Sequence, residues 1–207
     1  MSIEKITTYD KIKLMTEDRD IRCLLHFTQI ANMPSIMQYG LLSRQKLGEL
    51  GVLAHASDDY RLDNNNEVVS VSISRINQMM FESKRRKSRG SSWIILIISP
   101  EILWTHSCKF CWRNAAKNEI KNHRGWRGGY WAFQKMFDVD SNMQNSLHPR
   151  FPTDPEAEVQ VLESIEAKYI LGAIVEHSLV VERVQKYLDS LGDMKKREVI
   201  IEKYYFS

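Results

Sequence analysis

The chain has 207 residues, 43% of them hydrophobic and 27% charged, with a formal net charge of +3. That length and apolar content suit one domain with its own core, and the modest charge excludes a disordered basic tail while leaving room for a local positive face that meets phosphates. Three cysteines, Cys23, Cys108 and Cys111, argue against a disulfide framework and for a reducing cytoplasm; the polar N-terminus excludes a secretory signal, and the longest apolar stretch, at 93–99, is too short to span a bilayer.

The first 20 residues are polar and predict a helix or a loosely packed arm. CLLHFT at 23–28 reads as a buried strand. Asn32, Met33 and Pro34 then look like a helix start, with asparagine as N-cap, and SIMQYGLL predicts a short helix stopping at Gly40. Residues 44–66 are polar and irregular, long enough for a functional loop. VVSVSIS at 68–74 alternates apolar and small polar residues, a strand pattern. The basic run KRRKSR at 84–89 reads as a solvated loop, and SWIILII at 92–98 as a fully buried strand ended by Pro100. Residues 101–150 mix helix and loop. EVQVL at 158–162 and YILGAIV at 169–175 predict strands, 180–191 a helix and 198–206 a closing strand. No repeat, low-complexity tract or Pro/Gly-rich linker divides the chain. Short strands with segregated helices indicate an α+β domain around a mixed or antiparallel sheet.

Neither GxGxxG nor a P-loop is present, so a Rossmann domain and a P-loop ATPase are both unsupported. In HFTQIANMPSIMQYGLL a strand end delivers His26 and Thr28 just before a helix, a geometry that presents a polar edge to a ligand amide or ribose; the alternative is a core histidine. In RFPTDPEAEVQVL, Glu156 and Glu158 sit two apart and share a face if extended. A carboxylate there can stabilise an oxocarbenium-like ribosyl centre and accept an acceptor's proton; the alternative is a pair of surface acids. Cys108-x-x-Cys111, near His106 and His123, is either half of a zinc site or a pair of buried thiols. NHRGWRGGYWAFQKMF at 122–137 interleaves charge and rings. Arg124, Trp126 and Arg127 suit a single strand's phosphates and bases, whereas Phe133 and Phe137 read as core.

These segments together resemble the DarT family of DNA ADP-ribosyltransferase toxins, over nearly the whole span from Cys23 to Phe206. His-x-Thr followed by a helix ending in Gly-Leu resembles the family's opening motif, Ala157-Glu158-Val159 its catalytic segment, REVIIEKYYF its closing strand, and FCWRNAA a turn found in one branch before an Asn-Ala-Ala helix start. The resemblance implies an ADP-ribosyltransferase-like α+β fold, formed by residues 1–207 as one domain. It makes NAD⁺ the co-substrate, contacted by His26, Thr28, Gly40 and Leu41, and Glu158 the catalytic residue, with Glu156 a neighbour of open role. It calls for an arginine ahead of the second main strand, for which Arg61 fits by position as a catalytic and NAD-contacting group. Arg75 competes, and with Asn77 and Met79 it is placed against nucleic acid. No metal is expected. Single-stranded DNA is the favoured acceptor; RNA, or a non-catalytic nucleic-acid-binding role, are the alternatives. A DarG-type macrodomain antitoxin, a toxin–antitoxin or phage-defence setting and a cytoplasmic location complete what the resemblance implies.

Overall fold

The structure is a computed structural model that describes residues 6–55, 65–88, 90–138 and 147–206. The elements in chain order are α1 (Thr8–Asp18), β1 (Leu24–Gln29), α2 (Met33–Tyr39), α3 (Arg44–Glu49), β2 (Val69–Ile73), α4 (Gln78–Lys87), β3 (Trp93–Ile98), α5 (Ile102–Thr105), β4 (Cys108–Cys111), α6 (Asn118–Lys121), α7 (Tyr130–Lys135), β5 (Glu158–Val161), β6 (Ile170–Val175), α8 (Val181–Asp189) and β7 (Glu198–Ile201).

The described residues form a seven-stranded sheet in the order β4-β5-β2-β1-β3-β6-β7. Every pairing is antiparallel except β6 with β7. β3 is an unbroken apolar run because both of its faces are covered. Ile94, Leu96 and Ile98 enter the main core; Trp93 and Ile95 enter a smaller cluster with Phe81 and Phe206. Two β-strand halves result. β1 runs along β3 for six residue pairs, from Leu24↔Ile98 to Gln29↔Trp93, and β2 runs along β5 for three. Between the halves β1 and β2 pair only at Leu24↔Ile73 and Leu25↔Ser72. Beyond that point the strands part and a cleft opens.

The polar N-terminal segment is a helix: Thr7 and Asp10 close a reciprocal capping box, and Ile12 and Thr16 are buried. The basic run at 84–89 belongs to α4 through Lys87 rather than to a loop, and its cations fall in the last turn, where the helix dipole favours them. Within 44–66 the first residues are helical, with Ser43 accepting from the Lys46 N–H as a side-chain cap. A strand unanticipated within 101–150, β4, forms one edge of the sheet, and the Phe110 N–H on it donates to the Arg127 carbonyl at 2.8 Å. The closing strand ends at Ile201, and Lys203–Phe206 is a 3₁₀ turn. Gly40 does end α2, at φ +79. A Cβ there would lie 2.3 Å from the Ile165 carbonyl oxygen, so only glycine lets Leu41 exchange its two backbone bonds with Ile165.

Candidate active site

The parting of β1 and β2 makes a cleft of about 560 Å³, floored by both strands and walled by α2, α3 and α4. His26 and Thr28 lie along β1, Val69 to Ser72 along β2, and Glu156 and Glu158 close one end. The His26 imidazole spans the gap, with Nδ1 2.9 Å from the Ser70 carbonyl. His26 is the first β1 residue past the last pairing with β2. One step beyond Val71↔Val159, antiparallel register sets Glu158 level with Ser72. The histidine and the glutamate therefore flank the vertex of the cleft from strands two spacings apart, about 10 Å.

Glu158 opens β5 and is half-buried. Its Oε1 accepts the Ala115 N–H at 3.1 Å. That donor is aimed by a side-chain turn: Asn114 Oδ1 accepts from the Ala116 N–H at 2.9 Å. The Asn114 amide also reaches Glu156 at 3.5 Å. Glu156 is paired with Lys117, whose ammonium is held above its usual range chiefly by that hydrogen bond. The two acids are thus held by different groups. Glu156 is tied to a lysine; Glu158 has one oxygen fixed by a backbone donor in the cleft wall. The Asn-Ala-Ala segment does this as a turn, since α6 starts only at Asn118.

Thr28 and Asn32 form a polar strut. Asn32 Nδ2 donates to Thr28 Oγ1 at 3.0 Å and to the His55 carbonyl at 3.1 Å, while its Oδ1 accepts the His55 N–H at 2.8 Å. Asn32 is therefore no side-chain cap for α2; it pins the end of the 44–55 segment to β1. Gly40 and Leu41, expected to contact NAD⁺, line the cleft. So do Asn77, whose side chain caps α4 through the Met80 N–H, and Met79, which is 73% exposed at the rim. Arg44, Lys84 and Lys87 bring positive charge to the same walls. Arg61 lies outside the described residues.

Arg75, expected to meet nucleic acid, has its guanidinium turned onto the 149–153 segment. It donates to the Pro152 and Thr153 carbonyls and lies 5.5 Å from the Phe151 ring centroid. Of the 122–127 group, Arg124 and Trp126 are on the surface, the indole 68% exposed. Arg127 is half-buried and donates to the Cys111 sulfur. The glycines there make room for rings: a Cβ on Gly128 would sit 2.4 Å from the Trp126 indole. Next to this loop His123 stacks on the exposed Trp131 with 5.9 Å between centroids and 14° between planes, and Lys135 lies over both Trp131 and Trp112. Phe133 and Phe137 are buried, as their spacing indicated.

The Cys108 thiol donates to the Ile102 carbonyl, and burial pushes its pKa up to about 12. His106 packs edge-on against Tyr169. Among the described residues no group of three or more His, Cys, Asp or Glu side chains could hold a metal ion, and no helix is long and apolar enough to cross a membrane. Sequence reasoning missed Asn32 as a strut and Ala115 as a donor. The first contact spans 23 residues, and the second uses a backbone group, which has no residue-type signature.

A sequence model described as "DarT: ssDNA thymidine ADP-ribosyltransferase" matches residues 25–206. A search of curated proteins by sequence gave no match. Among solved structures, the fold is similar to Thermus sp. 2.9 DarT in complex with carba-NAD⁺, with a TM-score of 0.59 at 15% identity over 90% of this chain and 98% of the other. The same protein in complex with ADP-ribosylated single-stranded DNA gives a TM-score of 0.55 at 16% identity over 90% and 96%. Thermosipho africanus DarTG in complex with ADP-ribose gives 0.54 at 16% identity over 89% of this chain; the chain spans 51% of that longer one. Opening motif, split sheet, cleft-wall glutamate and a family match over nearly the whole chain agree, and the chain belongs to the DarT family of single-stranded-DNA thymidine ADP-ribosyltransferases.

Proposed function

We propose that this chain, acting as one catalytic domain, transfers ADP-ribose from NAD⁺ to a base of single-stranded DNA, with Glu158 as the catalytic carboxylate. The observation that carries this is the placement of Glu158 at the vertex of the β1–β2 cleft, with Oε1 fixed by the Ala115 N–H. The fit is physical. The cleft has the size of a ligand pocket, polar groups on its floor and cationic side chains on its walls. His26 and Thr28 face the nicotinamide-side ribose and amide, while Arg44, Lys84 and Lys87 suit the two phosphates.

In this reading Glu158 keeps one oxygen on Ala115 and turns the other to a ribose hydroxyl, where its charge stabilises the cationic centre growing at C1′. The C1′–N bond to nicotinamide breaks and its electron pair neutralises the departing pyridinium ring. A base nitrogen bonds to C1′, and Glu158 takes the proton that this nitrogen sheds. Trp126, Arg124 and Arg127 lie on the surface loop that would carry the strand. Single-stranded DNA leaves the reacting edge open, so no base has to be flipped from a duplex. A macrodomain antitoxin of the DarG type is the cognate partner on this reading, and the cytoplasm its location.

The test is mass spectrometry of matched DNA and RNA oligonucleotides after incubation with NAD⁺. DNA is expected to gain ADP-ribose with wild-type protein and to stay unmodified with Glu158→Gln, which keeps the shape and the Ala115 contact but removes the charge. Transfer to RNA alone would overturn the choice of acceptor. Undiminished activity in Glu158→Gln would overturn the assignment of the carboxylate.

A further inference from the structure

β2 ends in a turn that side-chain-bearing residues seldom form. Ser74 sits at φ +58, where Cβ crowds the backbone. Its N–H donates to the Cys23 carbonyl at 3.1 Å, and the Arg75 N–H donates back to Ile73 at 2.7 Å. The turn carries Arg75 off the strand to the 149–153 segment. There its guanidinium meets two consecutive carbonyls, of Pro152 and Thr153, and the Phe151 ring. Burial draws the guanidinium below its ordinary pKa, with Asp154 opposing.

The same segment is gripped from two other elements. Arg19, the residue that caps the end of α1, lies 4.3 Å over the Phe137 ring and donates to the Pro149 carbonyl at 3.0 Å, and the Thr153 N–H donates to the Met136 carbonyl, just past α7, at 2.9 Å. The stretch from there to β5 is short and tied to itself. Asp154 accepts the Glu156 N–H on its side chain at 2.7 Å and the Ala157 N–H on its carbonyl at 3.1 Å. Glu158 comes next. Arg75 itself does not line the cleft.

We propose that Arg75 is a positioning residue. It clasps the 149–157 segment at a fixed distance from β2 and so sets where Glu158 stands, without touching NAD⁺ or nucleic acid. This rests on the reading of Glu158 given above. Both carbonyl bonds come from one guanidinium nitrogen, Nη2, while the planar group lies over the Phe151 ring; a lysine ammonium can keep a carbonyl bond but lacks the flat face that meets the ring.

Arg75→Lys and Arg75→Met are compared with wild type in three measurements. Amide exchange is expected to speed up across 149–158 and to stay unchanged elsewhere, more for methionine than for lysine. Turnover on a DNA oligonucleotide is expected to fall on the order of 100-fold in Arg75→Met, since a misplacement near 1 Å carries that cost, and less in Arg75→Lys. Affinity for NAD⁺, KM for the oligonucleotide and the salt dependence of that KM are expected to hold within about threefold. Unchanged exchange and turnover in both variants would overturn the proposal. So would a loss confined to KM with a shallower salt slope, which would mark a phosphate contact. If Arg75→Met does not fold, Arg75→Lys decides by the same readouts. If wild type transfers to neither DNA nor RNA, the functional reading fails, and exchange alone still upholds or overturns the clasp.

Discussion

Gly40→Ala tests how the floor of the cleft is joined to the rest of the fold. The new Cβ would stand 2.3 Å from the Ile165 oxygen and 3.1 Å from the Glu166 Cα. The first approach is about 1 Å inside ordinary contact, and both neighbours are backbone, so no side chain can swing away. Holding φ at +79 with a Cβ costs roughly 1–2 kcal/mol. Pushing Ile165 away loosens its two bonds with Leu41, at 2.8 and 3.0 Å, worth about 1 kcal/mol each. The sum is about 3–4 kcal/mol, or a Tm lowered by roughly 6–16 °C for a domain of this size. Because Gly40, Leu41 and Leu42 line the cleft, the Tm rise on adding NAD⁺ should shrink as well. Gly48→Ala is the control. It lies in α3 with nothing within 4 Å of an added Cβ, and should be neutral or stabilising by up to about 1 kcal/mol. Calorimetry of both variants with and without NAD⁺ decides the matter. A Gly40→Ala protein melting within about 2 °C of wild type, or a Gly48→Ala protein as damaged, would refute the steric argument.

Asn32→Ala leaves Thr28 and the His55 backbone without their shared partner. It should cost about 1–3 kcal/mol of stability and weaken NAD⁺ binding about tenfold, as read by titration calorimetry; unchanged affinity would detach the strut from the site. Trp126→Ala removes an exposed ring, so Tm should hold while affinity for a single-stranded oligonucleotide falls by about 1–3 kcal/mol. Fluorescence anisotropy checks this, and equal affinities would move the strand off this loop. The Cys108 thiol has a folded pKa of about 12 against an ordinary 9.0. A raised pKa means that its contribution to stability is whole below pH 9 and is lost as pH climbs towards 12. Urea unfolding from pH 8 to 11 should show a flatter alkaline decline in Cys108→Ala than in wild type.

Much of this was legible because it rests on side-chain pattern. The apolar runs at 23–28, 92–98 and 169–175 became β1, β3 and β6, since strands packed on both faces admit little else. Glu158 is singled out by the resemblance of Ala157-Glu158-Val159 to the DarT catalytic segment; by residue pattern alone it reads equally as a surface acid. The errors share a different cause. CKFC at 108–111 is too short to show alternation, and it is a strand only because β5 pairs with it from Cys108↔Val161 to Cys111↔Glu158. KRRK was read by its charge as solvated loop, yet such cations are well placed at a helix C-terminus. Asn32 stands where a cap belongs and spends its amide across the fold on His55. Arg75, expected to meet nucleic acid, also has carbonyl partners 77 and 78 positions away, which its neighbours in sequence do not reveal.

The site exists because one ladder is short. β1 is braced along its whole length by β3, and β2 by β5, so each wall of the cleft is stiff on its outer side. Only two residue pairs join the walls, and the residues proposed for catalysis flank that junction. His26 lies one residue past it on β1, Glu158 stands level with it on β5, and Ser74 turns Arg75 out immediately after Ile73, on the side of the junction away from the cleft. If the pairing ran on to Gln29, β1 and β2 would satisfy each other's backbone groups and the cleft would close. The polar content of the diverging stretches, with His26 and Thr28 on one strand and Ser70 on the other, is what a full ladder packed on apolar faces would not tolerate. Polar substitution within otherwise apolar strands is therefore the mark of the site in the sequence itself. Thr28→Val takes an acceptor from Asn32 Nδ2, so it should lower Tm as well as NAD⁺ affinity, about 1 kcal/mol of stability going with the lost bond. Calorimetry of Thr28→Val showing an unchanged Tm and unchanged NAD⁺ affinity would contradict that account.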